Sequence, residues 1–203
     1  MSDAAIHPTA IVGQHARIGK GVKIGPYCIV GDKVILHDNV ELVSHVVIDG
    51  NTEVGASSRI FPFASVGLEP QDRKYHGENS RPVIGERCVI RESATLNPGT
   101  DGGGMLTKIG NDCLIMASAH VAHDAIIGDN VVMANYVGIA GHCQSWRQRH
   151  FRGCLRCAPV HPDWVACLYR RPFHDRWRRD PLWHGRGQSG IAYGPQSRWS
   201  QAA

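Results

Sequence analysis

The sequence repeats every six residues, and this period restricts the possible fold more than any other feature. Between residues 109 and 142, each block of six opens with Ile109, Ile115, Val121, Ile127, Met133 or Ile139. The fifth position of each block is small or β-branched, at Cys113, Ala119, Ala125, Val131, Val137 and Cys143. An α-helix has a period of about 3.6 residues and a strand alternates with a period of about two, so neither explains the pattern. A period of six is typical of a β-helix built from hexapeptide repeats.

The same blocks run from Ile6 to Val66 and resume in register at Ile84. Three blocks form one coil of 18 residues, and successive coils stack at a strand spacing of about 4.8 Å. The aliphatic residues then stack inward, and the glycine that often follows them lies where the backbone approaches closely or φ is unusual. We therefore predict an all-β fold, a left-handed parallel β-helix over residues 1–144, and by analogy with similar β-helices a homotrimer.

Two segments interrupt the blocks and are expected to form external loops. Residues 67–83 are polar and contain Gln71, Asp72 and Lys74, whereas residues 99–108 contain three adjacent glycines and shift the later blocks by one position. Insertions in a solenoid lie on one face, which is often the binding face. The alternative for residues 67–83 is an ordinary solvated loop, and the glycines predict a flexible or tightly turned segment.

The pattern stops after Gln144, where Ser145 and Trp146 replace the expected aliphatic residue and glycine. Through Gln144 the chain has 11 Lys+Arg and 15 Asp+Glu, a net charge of −4; the remainder has 11 and 3, a net charge of +8. We predict an irregular Arg/Trp/Pro-rich tail over residues 145–203, and a shifted reading frame or a fused foreign segment would explain it. Two binding roles for this tail rank below simple disorder. One is nucleic-acid binding through Arg and Trp; the other is zinc binding at Cys154, Cys157, His161 and Cys167.

The sequence shows no signal peptide and no apolar run of about 18 residues, so we expect a cytosolic protein without a membrane span. Thiols remain reduced in that compartment. Four of the seven cysteines occupy the fifth position of a block, where they are expected to be small buried side chains. They are Cys28, Cys88, Cys113 and Cys143.

The repeat also places chemically active residues together. Gly141 follows His123 by 18 residues, so it should lie directly above His123, and His142 should likewise lie above Asp124. A histidine base beside a backbone N–H is the minimum arrangement for acyl transfer, and Asp124 could orient the imidazole. One alternative is that the histidines are exposed surface residues without a chemical role. The other is a zinc site at His120, His123 and His142, which the spacing and the adjacent acid disfavour; we predict no metal and no cofactor.

Four segments carry a resemblance to a known family. They read QDRKYHGE (71–78), RESATLNPGTDGGG (91–104), SAHVAHD (118–124) and AGH (140–142). Together they closely resemble the acyl-carrier-protein:UDP-N-acetylglucosamine 3-O-acyltransferases, which catalyse the first step of lipid A biosynthesis. The resemblance covers residues 6–144 in order and with matching spacing.

The resemblance implies a role for each site residue. His123 would be the general base for the 3-hydroxyl of UDP-N-acetylglucosamine, Asp124 would hold its imidazole, and the Gly141 N–H would stabilise the oxyanion formed from the thioester on acyl carrier protein. Substrate contacts are implied for Gln71, Asp72, Lys74, His120 and His142. The site would lie between subunits of the trimer.

The chain also departs from the family pattern. Asn97 stands where a histidine is usual, and the family's further coils and helical C-terminal domain are not recognisable after Gln144. The alternatives to the implied activity are therefore a related N-acyltransferase and an inactive, truncated hexapeptide scaffold.

Overall fold

The structure, a computed structural model, describes residues 4–145 together with strands at 150–151, 155–161, 164–169 and 191–192. Short strands follow one another around three sides of a prism, and strands on the same side pair in parallel between successive coils. A 3-10 helix spans Asp101–Gly103. The chain is thus a left-handed parallel β-helix, as the six-residue period predicts.

Each side of the prism forms one sheet. The first sheet contains Ala5–Ile6, Lys23–Ile24, Glu41–Leu42, Arg59–Ile60, Val89–Ile90, Leu114–Ile115, Val132–Met133 and His150–Phe151. The second contains Ile11–Val12, Ile29–Val30, Val47–Ile48, Ser65–Val66, Thr95–Leu96, His120–Val121, Gly138–Ile139, Leu155–His161, Trp164–Tyr169 and Ile191–Ala192. The third contains Arg17–Ile18, Ile35–Leu36, Glu53–Val54, Arg81–Ile84, Leu106–Ile109, Ile126–Ile127 and Gln144–Ser145.

The two loops lengthen the chain without breaking the stack. Their last residues, 81–83 and 106–108, lie in the strands Arg81–Ile84 and Leu106–Ile109 of the third sheet. Ordinary neighbours are 18 residues apart, as in the pair Ile6 and Ile24. Val54 instead pairs with Ile84, 30 positions later, and Ile84 with Ile109, 25 positions later. The first loop therefore preserves the six-residue count, whereas the second shifts it by one.

The aliphatic residue that opens each block points into the prism. Along the first sheet, Ile24, Leu42, Ile60, Ile90, Ile115 and Met133 form one such column, and each is at most 2% exposed. The hexad cysteines Cys28, Cys88, Cys113 and Cys143 are also buried in this core. Since the strands are short, these columns and the hydrogen bonds between coils hold the β-helix together.

The corners depend on two different positions of the block. In most blocks the fourth residue adopts a left-handed backbone, with φ of 57° at Tyr27 and 58° at Asp124. The glycine at the second position serves close approach instead, because a Cβ on Gly110 would lie 2.5 Å from the backbone carbonyl carbon of Gly128. Of the two reasons considered for these glycines, close packing of adjacent coils is therefore the one that applies here.

The coil spacing continues beyond the last recognisable block. Ser145 pairs in register with Ile127, Phe151 with Met133, and Cys157 with Ile139, each 18 residues later. Leu155–His161 then pairs antiparallel with Trp164–Tyr169. The rest of the tail, predicted to be irregular, lies outside the described residues. The side chains of the predicted zinc set are also outside the described part of the chain; they are Cys154, Cys157, His161 and Cys167. The described part of the chain contains no helix with the length and hydrophobicity of a membrane span.

The buried column predicts a graded loss of stability at Ile115, whose side chain is fully buried. Replacing Ile115 with Ala should lower the free energy of unfolding by about 2–5 kcal/mol, because the removed atoms leave a cavity between stacked coils. Ile115→Val is the matched control and should cost only about 0.5–1.5 kcal/mol. Denaturant unfolding followed by circular dichroism would measure both, and equal costs would contradict the assigned packing.

Candidate active site

The candidate site lies over the outward side of the second sheet, between two corners of the prism. Strand His120–Val121 leads into the corner that holds His123 and Asp124. Gly141 and His142 occupy the same corner one coil higher, and the N–H of His142 donates to the carbonyl of His123 at 3.1 Å. The opposite corner contributes Ser118 and Tyr136.

His123 and Asp124 form a hydrogen-bonded pair. Nδ1 of His123 lies 2.9 Å from Oδ2 of Asp124, whose side chain is completely buried, while the side chain of His123 is 17% exposed. A carboxylate accepts hydrogen bonds, so Nδ1 carries the proton and Nε2 keeps a free lone pair. The exposed nitrogen is therefore the one that can accept a proton from a ligand.

Gly141 packs directly against the imidazole of His123. A Cβ at this position would lie 2.5 Å from Cε1 and 2.7 Å from Nε2 of the ring, so any side chain here would displace His123. The Gly141 N–H donates to no other group in the described part of the chain. A free backbone donor beside a histidine base can stabilise negative charge that develops on a bound carbonyl oxygen.

The two other histidines differ in their surroundings. The ring of His142 is exposed and makes an edge-on contact with His123, with centroids 5.0 Å apart. His120 is partly buried, and its Nδ1 lies 2.7 Å from the hydroxyl of Thr95. Burial, and to a smaller extent the nearby His123, lower the pKa of His120. His120 is thus a neutral polar group of the site, suited to hydrogen bonding with a ligand.

The external loop at residues 67–83 brings a second carboxylate to the base. Oδ2 of Asp72 lies 3.7 Å from Nε2 of His123, beyond hydrogen-bond distance, and Oδ1 accepts from the N–H of Lys74 at 3.1 Å. The side chain of Lys74 is exposed. The loop is fastened to the coil by Asn97, whose amide donates to the carbonyl of Leu68 at 3.3 Å.

A cleft of about 570 Å³ covers these groups, a volume suited to a small-molecule site. Its lining includes Gln71, Asn97, His120, His123, Tyr136 and Gly141. Lys74 and Asp72 do not line it, although Asp72 reaches the edge of the imidazole. The structure therefore brings Gln71, His120 and His123 to one cleft. His142 contacts the ring of His123 but does not line the cleft, and neither does Lys74.

The zinc alternative fits the geometry less well. The set expected from the sequence is His120, His123 and His142. The residues whose ligand atoms lie within 4.8 Å of one another are instead His123, Asp124 and His142. However, Oδ2 of Asp124 already accepts from the Thr100 hydroxyl at 2.6 Å and from Nδ1 of His123 at 2.9 Å, and this carboxylate is completely buried. A metal would have to replace these hydrogen bonds, so the set favours orientation of an imidazole over metal binding.

Sequence reasoning missed several residues that build the site. Thr95 contacts His120, Thr100 contacts the carboxylate of Asp124, and Thr107 accepts a hydrogen bond from the Asp124 N–H at 2.8 Å. Thr100 belongs to the glycine-containing loop and Thr107 to the strand Leu106–Ile109 that follows it. The six-residue count fails across this segment, so neither position can be calculated from the sequence. Thr95 faces outward on a regular strand, and the pairing of Thr95 with His120 follows only once the length of the loop is known.

Comparisons with known proteins agree with the fold. A model of the family described as bacterial transferase hexapeptide (six repeats) matches residues 15–50 and 106–141. The chain is 49% identical to a crystal structure of a UDP-N-acetylglucosamine acyltransferase, over 68% of this chain and 54% of that one, with a TM-score of 0.68. It is 42% identical to the UDP-N-acetylglucosamine O-acyltransferase (LpxA) of Moraxella catarrhalis, over 74% and 61%, with a TM-score of 0.69.

A third solved structure is covered more completely. The chain is 36% identical to LpxA from Acinetobacter baumannii, over 80% of this chain and 73% of that one, with a TM-score of 0.68. Against the first of these structures, the chain spans about half of the length, 54%.

The environment of His120 predicts its titration. Its imidazole should titrate below the usual value of 6.5, because burial disfavours the charged form and lowers the pKa. Nitrogen-15 NMR of the imidazoles would measure the midpoint, with His120→Gln identifying the signal. Between the lowered pKa of His120 in the folded protein and the value of 6.5 in the unfolded chain, the unfolded chain binds more protons. The stability that neutral His120 contributes is therefore intact above pH 6.5 and is lost as the pH falls through the pKa of the folded protein. A midpoint at or above 6.5 would contradict this assignment.

Proposed function

We propose, because the chain belongs to the UDP-N-acetylglucosamine acyltransferase family, that it transfers a (3-hydroxy)acyl chain from acyl carrier protein to the 3-hydroxyl of UDP-N-acetylglucosamine. This reaction is the first step of lipid A biosynthesis, and a cytosolic location is part of the proposal. The proposal rests on the geometry of His123. Its Nδ1 is hydrogen-bonded to a buried carboxylate, and Gly141 packs against the ring beside Nε2.

His123 acts as the general base in this proposal. Nε2 takes the proton from the sugar 3-hydroxyl as that oxygen attacks the carbonyl carbon of the thioester. Asp124 accepts the Nδ1 proton at 2.9 Å and stabilises the imidazolium that forms. Base catalysis by a positioned side chain typically contributes about 10²–10⁴-fold to the rate.

Gly141 supplies the oxyanion donor. The attack places negative charge on the former thioester oxygen, and the Gly141 N–H can donate a hydrogen bond to it. When the tetrahedral intermediate collapses, the C–S bond breaks and the thiolate of acyl carrier protein takes the proton from His123. The products are the 3-O-acyl sugar nucleotide and the free thiol, so protons and electrons balance and no cofactor is needed.

The remaining polar groups fit recognition of the acceptor. Neutral His120 and the exposed ring of His142 flank the base, and Gln71 lines the same cleft. The carboxylate of Asp72 lies 3.7 Å from Nε2 of His123, close to where the acceptor hydroxyl would bind. The hydroxyl fits when this carboxylate turns away and accepts a hydrogen bond from another hydroxyl of the sugar. Lys74, exposed beside Asp72, is suited to contacting the outer part of the substrate or product.

An exposed apolar face supports a homotrimer with the site beside a neighbouring subunit. On the outward side of the second sheet, Ile11 is 65% exposed and Ile29 is 43% exposed. At the adjoining corner the rings of Tyr27, His45 and Phe63 contact one another at a tilt, with centroids 4.9 and 5.1 Å apart. The same sheet and corner lead into the cleft, and large exposed apolar patches mark interaction sites.

The base assignment predicts the effect of removing the imidazole. His123→Ala should lower kcat/KM for transfer to UDP-N-acetylglucosamine by about 10²–10⁴-fold, because the hydroxyl loses its proton acceptor. His15→Ala is the matched control, since His15 is an exposed histidine outside the cleft. The assay follows release of free acyl carrier protein thiol, with circular dichroism to verify folding.

Three outcomes would oppose the proposal. A loss of less than about tenfold in His123→Ala would exclude base catalysis of the usual size. Turnover of an acylated amino-sugar acceptor in preference to UDP-N-acetylglucosamine would identify an N-acyltransferase. Absence of turnover by the unchanged chain with either acceptor would favour the inactive scaffold.

The exposed face predicts the effect of a charge on assembly. Phe63→Asp should convert a trimer to smaller species, because a carboxylate would be buried without a partner in the middle of the contact. Lys20→Asp is the control, since Lys20 is exposed at the corner between the third and first sheets. Sedimentation velocity would measure the masses. A Phe63→Asp protein that sediments as the unchanged chain would place the interface elsewhere.

A further inference from the structure

The carboxylate of Asp124 is enclosed by the glycine-containing loop, and this contact lies outside the cleft. The Asp124 side chain has no exposed surface. The N–H of Thr100 donates to Oδ1 at 2.9 Å, and its hydroxyl donates to Oδ2 at 2.6 Å. Because an unpaired buried charge is very unfavourable, these donors are what permit a carboxylate at this position.

The loop backbone is shaped to reach the carboxylate. Its 3-10 turn, Asp101–Gly103, is closed by hydrogen bonds from the N–H groups of Gly103 and Met105 to the Thr100 carbonyl, each 3.0 Å long. A Cβ on Gly103 would collide with the Asp124 carboxylate, and one on Gly99 would lie 2.8 Å from Oδ1. Of the three adjacent glycines, Gly103 therefore packs directly on the acid, whereas a Cβ on Gly102 or Gly104 would meet no atom within 4 Å.

Thr100 and His123 share one oxygen atom of Asp124. Oδ2 accepts from the Thr100 hydroxyl at 2.6 Å and from Nδ1 of His123 at 2.9 Å. A hydrogen bond to an ionised acceptor is both short and directional. The hydroxyl therefore fixes the position of the atom that orients the imidazole, although Thr100 does not line the cleft.

We propose that Thr100 is a positioning residue for the transfer reaction: its hydroxyl and N–H hold the carboxylate of Asp124 so that His123 presents Nε2 to the acceptor. The inference rests on the proposed function of His123 as a base. Thr100 touches no substrate and acts only through Asp124. Its removal should therefore affect turnover more than substrate binding.

The test compares Thr100→Val with Thr100→Ser. Valine keeps the shape and the backbone N–H but lacks the hydroxyl, whereas serine restores it. Thr52→Val is the matched control, because Thr52 is also buried and its hydroxyl donates to a backbone carbonyl, that of Asp49, at 2.5 Å. Thr100→Val should lower kcat by about tenfold to a hundredfold, the range spanned by a hydrogen bond to a charged group, with KM nearly unchanged.

The pH profile distinguishes positioning from a general loss of stability. His123 is faced by Asp72, Asp124, His120 and His142. Without the Thr100 hydroxyl, the charge of Asp124 is less compensated and favours the protonated imidazole. The acidic limb of kcat/KM should therefore move to higher pH in Thr100→Val, and Thr100→Ser should restore it. Thr52→Val should leave both the limb and kcat unchanged.

A spectroscopic measurement separates this inference from the assigned substrate. The imidazole Nδ1 proton of His123 should give a downfield NMR signal that is absent in His123→Ala. Thr100→Val should shift or broaden that signal, whichever acceptor the protein uses. If the unchanged chain lacks the proposed activity but the signal responds, the function is wrong and the positioning role stands. An unchanged signal together with an unchanged pH profile would overturn the role of Thr100.

Two adjacent glycines provide a second test that keeps Thr100 intact. Gly103→Ala should move the loop off Asp124 and reproduce the loss of kcat, since the new Cβ would occupy the position of the carboxylate. Gly102→Ala is its control, because a Cβ there has no atom within 4 Å. Equal activity and equal imidazole signals in the two variants would also overturn the proposal.

Discussion

The stacking of one coil on the next is the interaction on which the rest of the structure depends. Each short strand satisfies its backbone through the coils below and above, and each inward aliphatic side chain packs on its copy in the next coil. A single coil could bury neither its backbone nor its apolar side chains, so stability arises only from the array. The outward residues are therefore held at fixed heights and on fixed faces.

The candidate site uses this regularity and departs from it at one corner. Other corner residues with left-handed φ, such as Tyr27 and Tyr136, are exposed, whereas Asp124 has the same backbone and is buried. The difference is the loop at residues 99–108, which covers the carboxylate and supplies the donors of Thr100. A repeated scaffold thus provides the height of His123, and a local insertion provides its chemical environment.

The sequence predicted the parts of the molecule that obey the repeat. The coil, the buried cysteines and the position of Gly141 against His123 all follow from counting in sixes. The contacts of Asp72, Asn97 and Thr100 did not follow, because each involves a loop residue, and loop residues have no register from which a position can be calculated. Nor did composition indicate that Ser145 would pair in the place of an aliphatic residue, since backbone pairing does not depend on the side chain.

The three-sided prism also limits how such a chain can change in length. Insertion of one block within a coil would turn everything above it by a third of a turn, and would carry His142 and Gly141 away from the corner that holds His123. Only whole coils, or segments that leave the coil as at residues 67–80 and 99–105, leave the faces aligned. A site on the β-helix can therefore be moved along the axis by complete coils, but not by a fraction of a coil.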